Sequence, residues 1–313
     1  MKYPRPLAAG LGLLLISASA RSGDSVSSQE ATPIAVAGLL GGSTLVPLGQ
    51  FVSGRWVRTW PEPGEQVDRK LARVEDIPRA WYPIQGGMPK EWFVWTEGAH
   101  GVPMRVGSPK LAESHCETVW GLSTRLLPFD HETTAIATSV RTGIRPFGQR
   151  TLGATGDEHI TTFLRDQFEK AEIAAVRIGR KDADLVLKGR PTSDPVYELS
   201  CVNTGKEDDQ ICSFEASRRL GTKPPDPGCD EVMVVQGWYK LSVDSVTLLQ
   251  VSGLLTDCDA KDLRTVTPML FIDAGTRSFV VVREHGYEDE SFTVIEVWGN
   301  ELRQALSVAG GGC

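Results

Sequence analysis

The chain has 313 residues, with 33 Lys or Arg side chains against 40 Asp or Glu, so its formal net charge is −7 at pH 7. An acidic chain has no general attraction for nucleic acid or for anionic membrane surfaces, and we expect neither as a partner. A chain of this length can bury a sizeable core, as one large domain or as two.

The first 20 residues have the pattern of a secretory signal peptide. Lys2 and Arg5 make the start basic, Leu7–Ile16 is an apolar run, and residues 18–20 (ASA) form a small-residue cleavage site. No cysteine follows for lipid attachment, and no later run approaches the ~20 apolar residues of a transmembrane helix. We therefore predict cleavage after residue 20 and a mature protein in the periplasm or outside the cell, without a transmembrane segment.

The rest of the chain divides by composition. Residues 21–33 are polar and Ser-rich, which predicts a flexible leader, and residues 34–313 predict a β-rich globular region. An alternative is a division of that region into two lobes, 34–150 and 157–313.

The globular region begins with a predicted hairpin at residues 43–61. Two extended runs flank residues 52–54, where Gly54 can adopt the positive φ that a tight turn requires. Further runs of β-branched and aromatic residues predict strands. In chain order these are Glu91–Thr96, Val102–Val106, Thr118–Leu127, Thr133–Arg141, Ala174–Ile178, Asp184–Lys188, Val196–Val202, Ile211–Ala216, Val232–Lys240 and Ser245–Leu255.

One amphipathic helix is predicted at 157–173. Ile160, Phe163, Leu164 and Phe168 recur at spacings of three and four, the period of one helix face, and Asp157 can cap the first turn. With one helix among many strands, the fold class predicted is mainly β (α+β), with antiparallel sheets arranged as a sandwich or as a sheet covered by the helix.

The last three strands predicted are Pro268–Asp273, Ser278–Glu284 and Phe292–Trp298. Residues 279–282 (FVVV) are apolar at consecutive positions, which indicates a strand buried on both faces in the interior of a sheet.

Six cysteines in an exported chain favour disulfides. Cys201 and Cys212 flank a polar loop between two strand-like runs, and Cys229 and Cys258 bracket the next strands. The pairs predicted are therefore Cys201–Cys212, Cys229–Cys258 and, by elimination, Cys116–Cys313. The alternative is partial pairing with Cys313 free for an intermolecular bond.

Tryptophans are concentrated in the first third, and aromatic rings on a β scaffold are how many exported modules stack on sugar rings. The candidates for such a surface are Trp56, Trp60, Trp92 and Trp95. Core packing is the alternative and the preferred interpretation, because tryptophan also fills β-sheet cores.

A charged turn near the end offers the other candidate site. His285, Glu284, Glu288 and Glu290 form a cluster on a loop between core strands, where catalytic or metal-binding groups are often held. The alternative is a solvated turn that keeps strand edges soluble. No nucleophile elbow, S-x-x-K or phosphate-loop motif occurs, and we predict no metal site and no cofactor.

Residues 49–61 have the pattern G-x-F-x-x-G-x-W-x-x-x-W-P, and the chain ends in a glycine-rich tail closed by Cys313. In these motifs the chain resembles a group of exported bacterial proteins of unknown function. The resemblance implies export and a β-rich body, and it implies no activity.

Together these patterns predict an exported, disulfide-braced, non-catalytic binding module whose partner is a glycan or an envelope protein. The alternatives are a hydrolase or metal-dependent enzyme that uses the turn at 284–290, and a structural envelope protein.

Overall fold

The computed structural model describes residues 33–41, 43–67, 71–82, 87–96, 99–125, 135–152, 157–191, 193–206, 209–220, 231–243, 245–256 and 261–313. The signal peptide predicted at 1–20, nearly all of the leader predicted at 21–33 and the predicted pair Cys229–Cys258 lie outside these residues. The described chain is mainly β with antiparallel sheets, which confirms the predicted fold class.

Seventeen strands occur in this part of the chain. They are β1 (Ile34–Leu40), β2 (Thr44–Val52), β3 (Arg55–Val57), β4 (Glu91–Thr96), β5 (Ala99–Ser114), β6 (Glu117–Thr124), β7 (Ala135–Thr138), β8 (Ile144–Pro146), β9 (Gly148–Arg150), β10 (Val196–Asn203), β11 (Gln210–Arg219), β12 (Val232–Ser242), β13 (Ser245–Thr256), β14 (Thr265–Asp273), β15 (Ser278–His285), β16 (Asp289–Trp298) and β17 (Glu301–Gly312).

The first sheet closes on itself. Its strand order is β1-β7-β4-β5-β6-β2, and β2 pairs again with β1, while β3 pairs with the other end of β2. The turn between β2 and β3 is the predicted one: Ser53 and Gly54 have φ values of 50° and 75°. A positive φ at both central positions suits the right-handed twist of the two strands, which explains glycine at 54.

The second and third sheets have five strands each, in the orders β13-β12-β11-β10-β9 and β17-β16-β15-β14-β8. The chain passes from the edge of the third sheet (β8) to the edge of the second (β9) through Phe147 alone. Phe147 is buried against Trp238 of β12, with ring centroids 5.9 Å apart, and the same cluster contains Phe271 and Val280 from the third sheet. The two sheets are therefore packed together at this end.

The central strand of the third sheet is β15, as the FVVV run predicts. Phe279 and Val281 pack in the cluster shared with the closed first sheet, while Val280 and Val282 pack in the cluster shared with the second sheet. All four are at most 1% exposed. Because both faces of β15 are covered, consecutive apolar residues are required there.

Two α-helices cover one face of the second sheet: α1 (Glu158–Gly179) and α2 (Ala183–Gly189). The predicted helix is present but longer, and the strands predicted at Ala174–Ile178 and Asp184–Lys188 are wrong, because both segments are helical. The buried positions of α1 continue every fourth residue to Val176, so its core-facing face extends past 173. Packing of this face on Phe214, Met233 and other residues of the sheet outweighs the local preference of Val and Ile for strands.

Two disulfides connect strands in the part of the chain that the structure describes. Cys116, in the turn between β5 and β6, is bonded to Cys313 at the end of β17, and Cys201 of β10 is bonded to Cys212, directly opposite it on β11. Both bonds are among the three pairs predicted from the sequence. The first ties residues 197 positions apart, so it joins the closed first sheet to the third sheet.

Candidate functional site

The carboxylate-rich turn at 284–290 is divided by the alternation of strand side chains. His285 and Glu290 are opposite each other in the β15–β16 register and share one face, whereas Glu284 points to the other face. Glu288 lies exposed in the turn, where its backbone carbonyl accepts a hydrogen bond from the Cys313 backbone N–H at 2.9 Å. The structure brings together His285 and Glu290 but not the other two candidates.

The Glu290 carboxylate is bound to an arginine and lies near a histidine. Its Oε2 accepts a hydrogen bond from Arg283 Nη2 at 2.5 Å and lies 3.9 Å from Nε2 of His115. The His115 and His285 rings are 6.4 Å apart, centroid to centroid. Across the part of the chain that is described, no group of three or more His, Cys, Asp or Glu side chains could hold a metal ion. A carboxylate fixed by an arginine serves well as a structural contact and poorly as a free base.

The four candidate tryptophans lie in the core. Trp56, Trp60, Trp92 and Trp95 are 7%, 4%, 0% and 5% exposed, so none offers a ring face to a sugar. Three of their indole N–H groups are also used internally: those of Trp60 and Trp92 donate to backbone carbonyls, and that of Trp95 donates to Thr138 Oγ1 at 2.8 Å. The placement agrees with the core-packing alternative.

A cleft that the sequence does not predict lies between the second sheet and the start of β14. It has a volume of about 690 Å³, within the ~300–1,000 Å³ typical of ligand sites. One wall is the face of the second sheet turned away from the helices, and the other is formed by residues 265–268. Trp238, which packs on Phe147, also lines the cleft.

The sheet wall carries two rows of side chains set by strand register. On β11, Cys212 and Phe214 pack on the helix side, so Ser213 and Glu215 point into the cleft. Hydrogen-bonded pairing then aligns residues from four strands. The first row is Ser200, Ser213, Trp238 and Gln250, and the second is Glu198, Glu215, Gln236 and Ser252.

Most polar side chains of this wall have no hydrogen-bond partner among the described residues. Ser213 is only 9% exposed, yet its hydroxyl makes no hydrogen bond to any described residue. The same holds, within the described chain, for five further side chains that line the cleft: Gln149, Glu198, Ser200, Gln250 and Ser252. The Ser213 hydroxyl is not among the fully buried, unpartnered polar atoms of the described residues, so it faces the open cleft, where water or a ligand can be its partner.

Two cleft residues are instead fixed by internal contacts. The Gln236 side-chain amide donates to Glu215 Oε2 at 2.8 Å and to the Arg264 carbonyl at 2.9 Å, so it holds the carboxylate and bridges to the opposite wall. Arg150 lines the cleft, but its guanidinium donates to Asp157 Oδ1 at 2.8 Å and to Gln210 Oε1 at 3.2 Å. The charge facing the cleft is therefore that of the two glutamates.

Comparison of the chain with protein-family models, with curated proteins and with solved structures finds no match. The cleft must accordingly be interpreted from its own geometry. No helix in the described residues combines the length and apolar character needed to cross a membrane.

The sequence contains one indication of the cleft, the alternation of polar and apolar residues along β11. This alternation alone does not identify a binding site. Ser213 and Glu215 interrupt an apolar run at alternate positions, which shows that one face of β11 is polar. That pattern does not reveal which residues of β10, β12 and β13 lie beside them, because pairing register follows from turns and packing.

Proposed function

We propose that this protein is an exported, non-catalytic binding module that holds a saccharide in the cleft between the second sheet and β14. The observation that carries the proposal is the row of side chains on one sheet face that line a 690 Å³ cleft without hydrogen-bond partners among the described residues. Hydroxyls, amides and carboxylates supply donors and acceptors in the mixture that a sugar ring presents.

Trp238 adds an apolar element to this site. Its ring is 7% exposed, packs edge-on against Phe147 and reaches the cleft beside Ser213 and Gln250. At this exposure the ring offers no face for stacking, so it supports the cleft wall beside Ser213 and Gln250 rather than holding the sugar itself. Export is supported by the signal-like start of the sequence and by the two disulfides.

The alternative proposal, a hydrolase at residues 284–290, has less support. The alternation of β15 separates Glu284 from His285, and Arg283 binds Glu290. No comparable observation favours a purely structural envelope protein over a binding module.

The experiment is a saccharide screen by thermal shift, followed by calorimetry on the purified, oxidised protein. A ligand that binds only the folded state raises the melting temperature, with about 2.7 kcal/mol of stabilisation at a hundredfold excess over Kd. We expect one saccharide class to bind, and Gln250→Ala or Ser213→Val to weaken it about tenfold through lost hydrogen bonds.

The matched control is Gln304→Ala, an exposed strand glutamine on β17 that does not line the cleft. It should leave binding unchanged. Binding that survives both cleft substitutions, or a complete screen with no shift, would contradict the proposed function.

A further inference from the structure

Two glutamates face each other on the cleft wall. Glu198 of β10 and Glu215 of β11 are direct partners in the strand register, and both line the cleft. Side chains opposite one another in an antiparallel pair have Cβ atoms roughly 4.5–5.5 Å apart, and like charges at such positions destabilise the sheet. Glu198 is exposed and Glu215 is half-buried, and a cation placed between them would relieve this repulsion.

Two carboxylates elsewhere in the described chain illustrate such compensation from within the protein. Asp209 Oδ2 lies 2.7 Å from Lys240 Nζ, and Glu290 lies 2.5 Å from Arg283. Neither Glu198 nor Glu215 has a Lys, Arg or His partner among the described residues. The cationic side chain nearest in the lining, Arg150, is bound to Asp157 and Gln210.

The polar groups beside the two glutamates can also accept hydrogen bonds. Gln236 uses its side-chain N–H groups on Glu215 and on the Arg264 carbonyl, which leaves its carbonyl oxygen without a donor in the described chain. The partnerless Ser213 hydroxyl lies in the adjacent row, two residues from Glu215 on the same face of β11. A group with several N–H donors and a positive charge satisfies all of these at once, and a primary ammonium has three donors and no acceptor.

We propose that the saccharide bound in the cleft carries a free amino group and that its ammonium lies between Glu198 and Glu215. The ligand class is thus an amino sugar with an unmodified amine, and not its N-acetyl form, which has no charge and only one N–H at that position. This inference rests on the proposed function, because it specifies the ligand of the same cleft.

The test uses two ligands that differ only at nitrogen: an oligomer of glucosamine and the same oligomer fully N-acetylated. Calorimetry on the whole purified protein compares their Kd values near neutral pH. We expect the free amine to bind at least tenfold more tightly, and its affinity to fall as salt is raised, because screening weakens the charge interaction.

The variants are Glu198→Gln and Glu215→Gln, with Glu91→Gln as control. Glu91 is an exposed strand glutamate on β4 in the first sheet. Each cleft substitution should weaken the amine ligand about ten- to a hundredfold, leave the acetylated ligand unchanged and abolish the preference. The control should change neither ligand. The melting temperature of Glu198→Gln should not fall, since the substitution removes a like-charge repulsion.

The outcomes separate the two proposals. Equal binding of both oligomers, or preference for the acetylated one, overturns the ammonium assignment and leaves the binding module intact. Binding of neither, with no response in the wider saccharide screen, overturns both. Binding of oligolysine without binding of glucosamine oligomers shows that the cation belongs to a protein partner and overturns the saccharide assignment.

Discussion

Glu172 carries a charge that is wholly buried between helix α1 and the second sheet. Its side chain is 0% exposed, and its carboxylate accepts hydrogen bonds from Arg190 Nη1 at 2.6 Å and from Arg218 Nε at 3.1 Å. Arg218 also lies over the Phe168 ring, 4.8 Å from its centroid. One carboxylate thereby joins α1, the segment after α2 and β11.

We expect Glu172→Ala to lower the free energy of unfolding by about 3–5 kcal/mol, because it leaves the buried guanidinium of Arg218 and the partly exposed one of Arg190 without their counter-charge. Urea denaturation followed by circular dichroism measures the change. The control is Asp166→Ala on the exposed side of α1, where the ion pair with Lys170 contributes about 0–1 kcal/mol. Equal losses in the two variants would contradict a special role for Glu172.

Buried tyrosines make stability depend on alkaline pH. Burial raises the pKa of Tyr239 to about 12, and that of Tyr197 also to about 12. In the unfolded chain a tyrosine ionises near pH 10. A raised pKa in the folded state means that the stabilisation is fully present below pH ~10 and is lost as the pH rises towards 12.

The expected outcome is unfolding coupled to tyrosine ionisation between about pH 10 and 12. Absorbance of tyrosinate and circular dichroism should change together over this range. Tyr239→Phe removes one ionising group and should make the alkaline loss of stability shallower. Ionisation of all tyrosines without loss of structure would contradict the prediction.

At the scale of strands and helices, some features of the fold can be predicted from the sequence and others cannot. The Gly54 turn and the strands β14 to β16 follow from local chemistry, since a positive φ needs glycine and a doubly covered strand needs an apolar run. The end of α1 cannot be predicted from local chemistry. Residues 174–178 alone favour a strand, and only their packing on the second sheet makes them helical. The cleft was missed for a related reason: its wall joins residues from four strands whose register no single segment specifies.

The disulfides stabilise elements unequally. Cys201 and Cys212 are already held opposite each other by the pairing of β10 with β11, across 11 positions. Cys116–Cys313 closes a separation of 197 residues and holds the end of β17 on the β5–β6 turn, beside the hydrogen bond from Ser114 Oγ to the Gly310 carbonyl at 2.7 Å.

Loop-closure entropy predicts that removing Cys116–Cys313 costs about 5 kcal/mol and removing Cys201–Cys212 less than about 3 kcal/mol. The measurement is urea denaturation of the paired Cys→Ala variants, each with the other bond intact. A larger loss for Cys201→Ala/Cys212→Ala would show that strain or unfolded-state structure outweighs chain entropy here.

At the scale of the molecule, the cleft depends on how the second and third sheets are held together. Phe147 occupies the single position between β8 and β9, and its ring packs on Trp238, which also lines the cleft. We expect Phe147→Ala to lower the free energy of unfolding by about 3–5 kcal/mol. We also expect it to lower the affinity of the cleft for its saccharide ligand.

Trp92→Ala is the matched control, since Trp92 is fully buried in the first sheet and its loss should cost a similar amount. At a temperature where both variants are folded, calorimetry should find weaker saccharide binding only for Phe147→Ala. Equal affinity in the two variants would show that the cleft does not depend on this contact.

The junction at Phe147 also has a consequence for the kinetics of recognition. The sheets cannot separate at this junction unless β8 or β9 detaches from its sheet, so we expect the cleft to be formed before any ligand arrives. A preformed site loses no backbone conformational entropy when the ligand binds. The conformational entropy lost on binding is then that of long side chains such as Gln250 and Glu198. Association should then proceed in one concentration-dependent step without a slow closure phase. Ligands of different affinity should differ mainly in their dissociation rate constants.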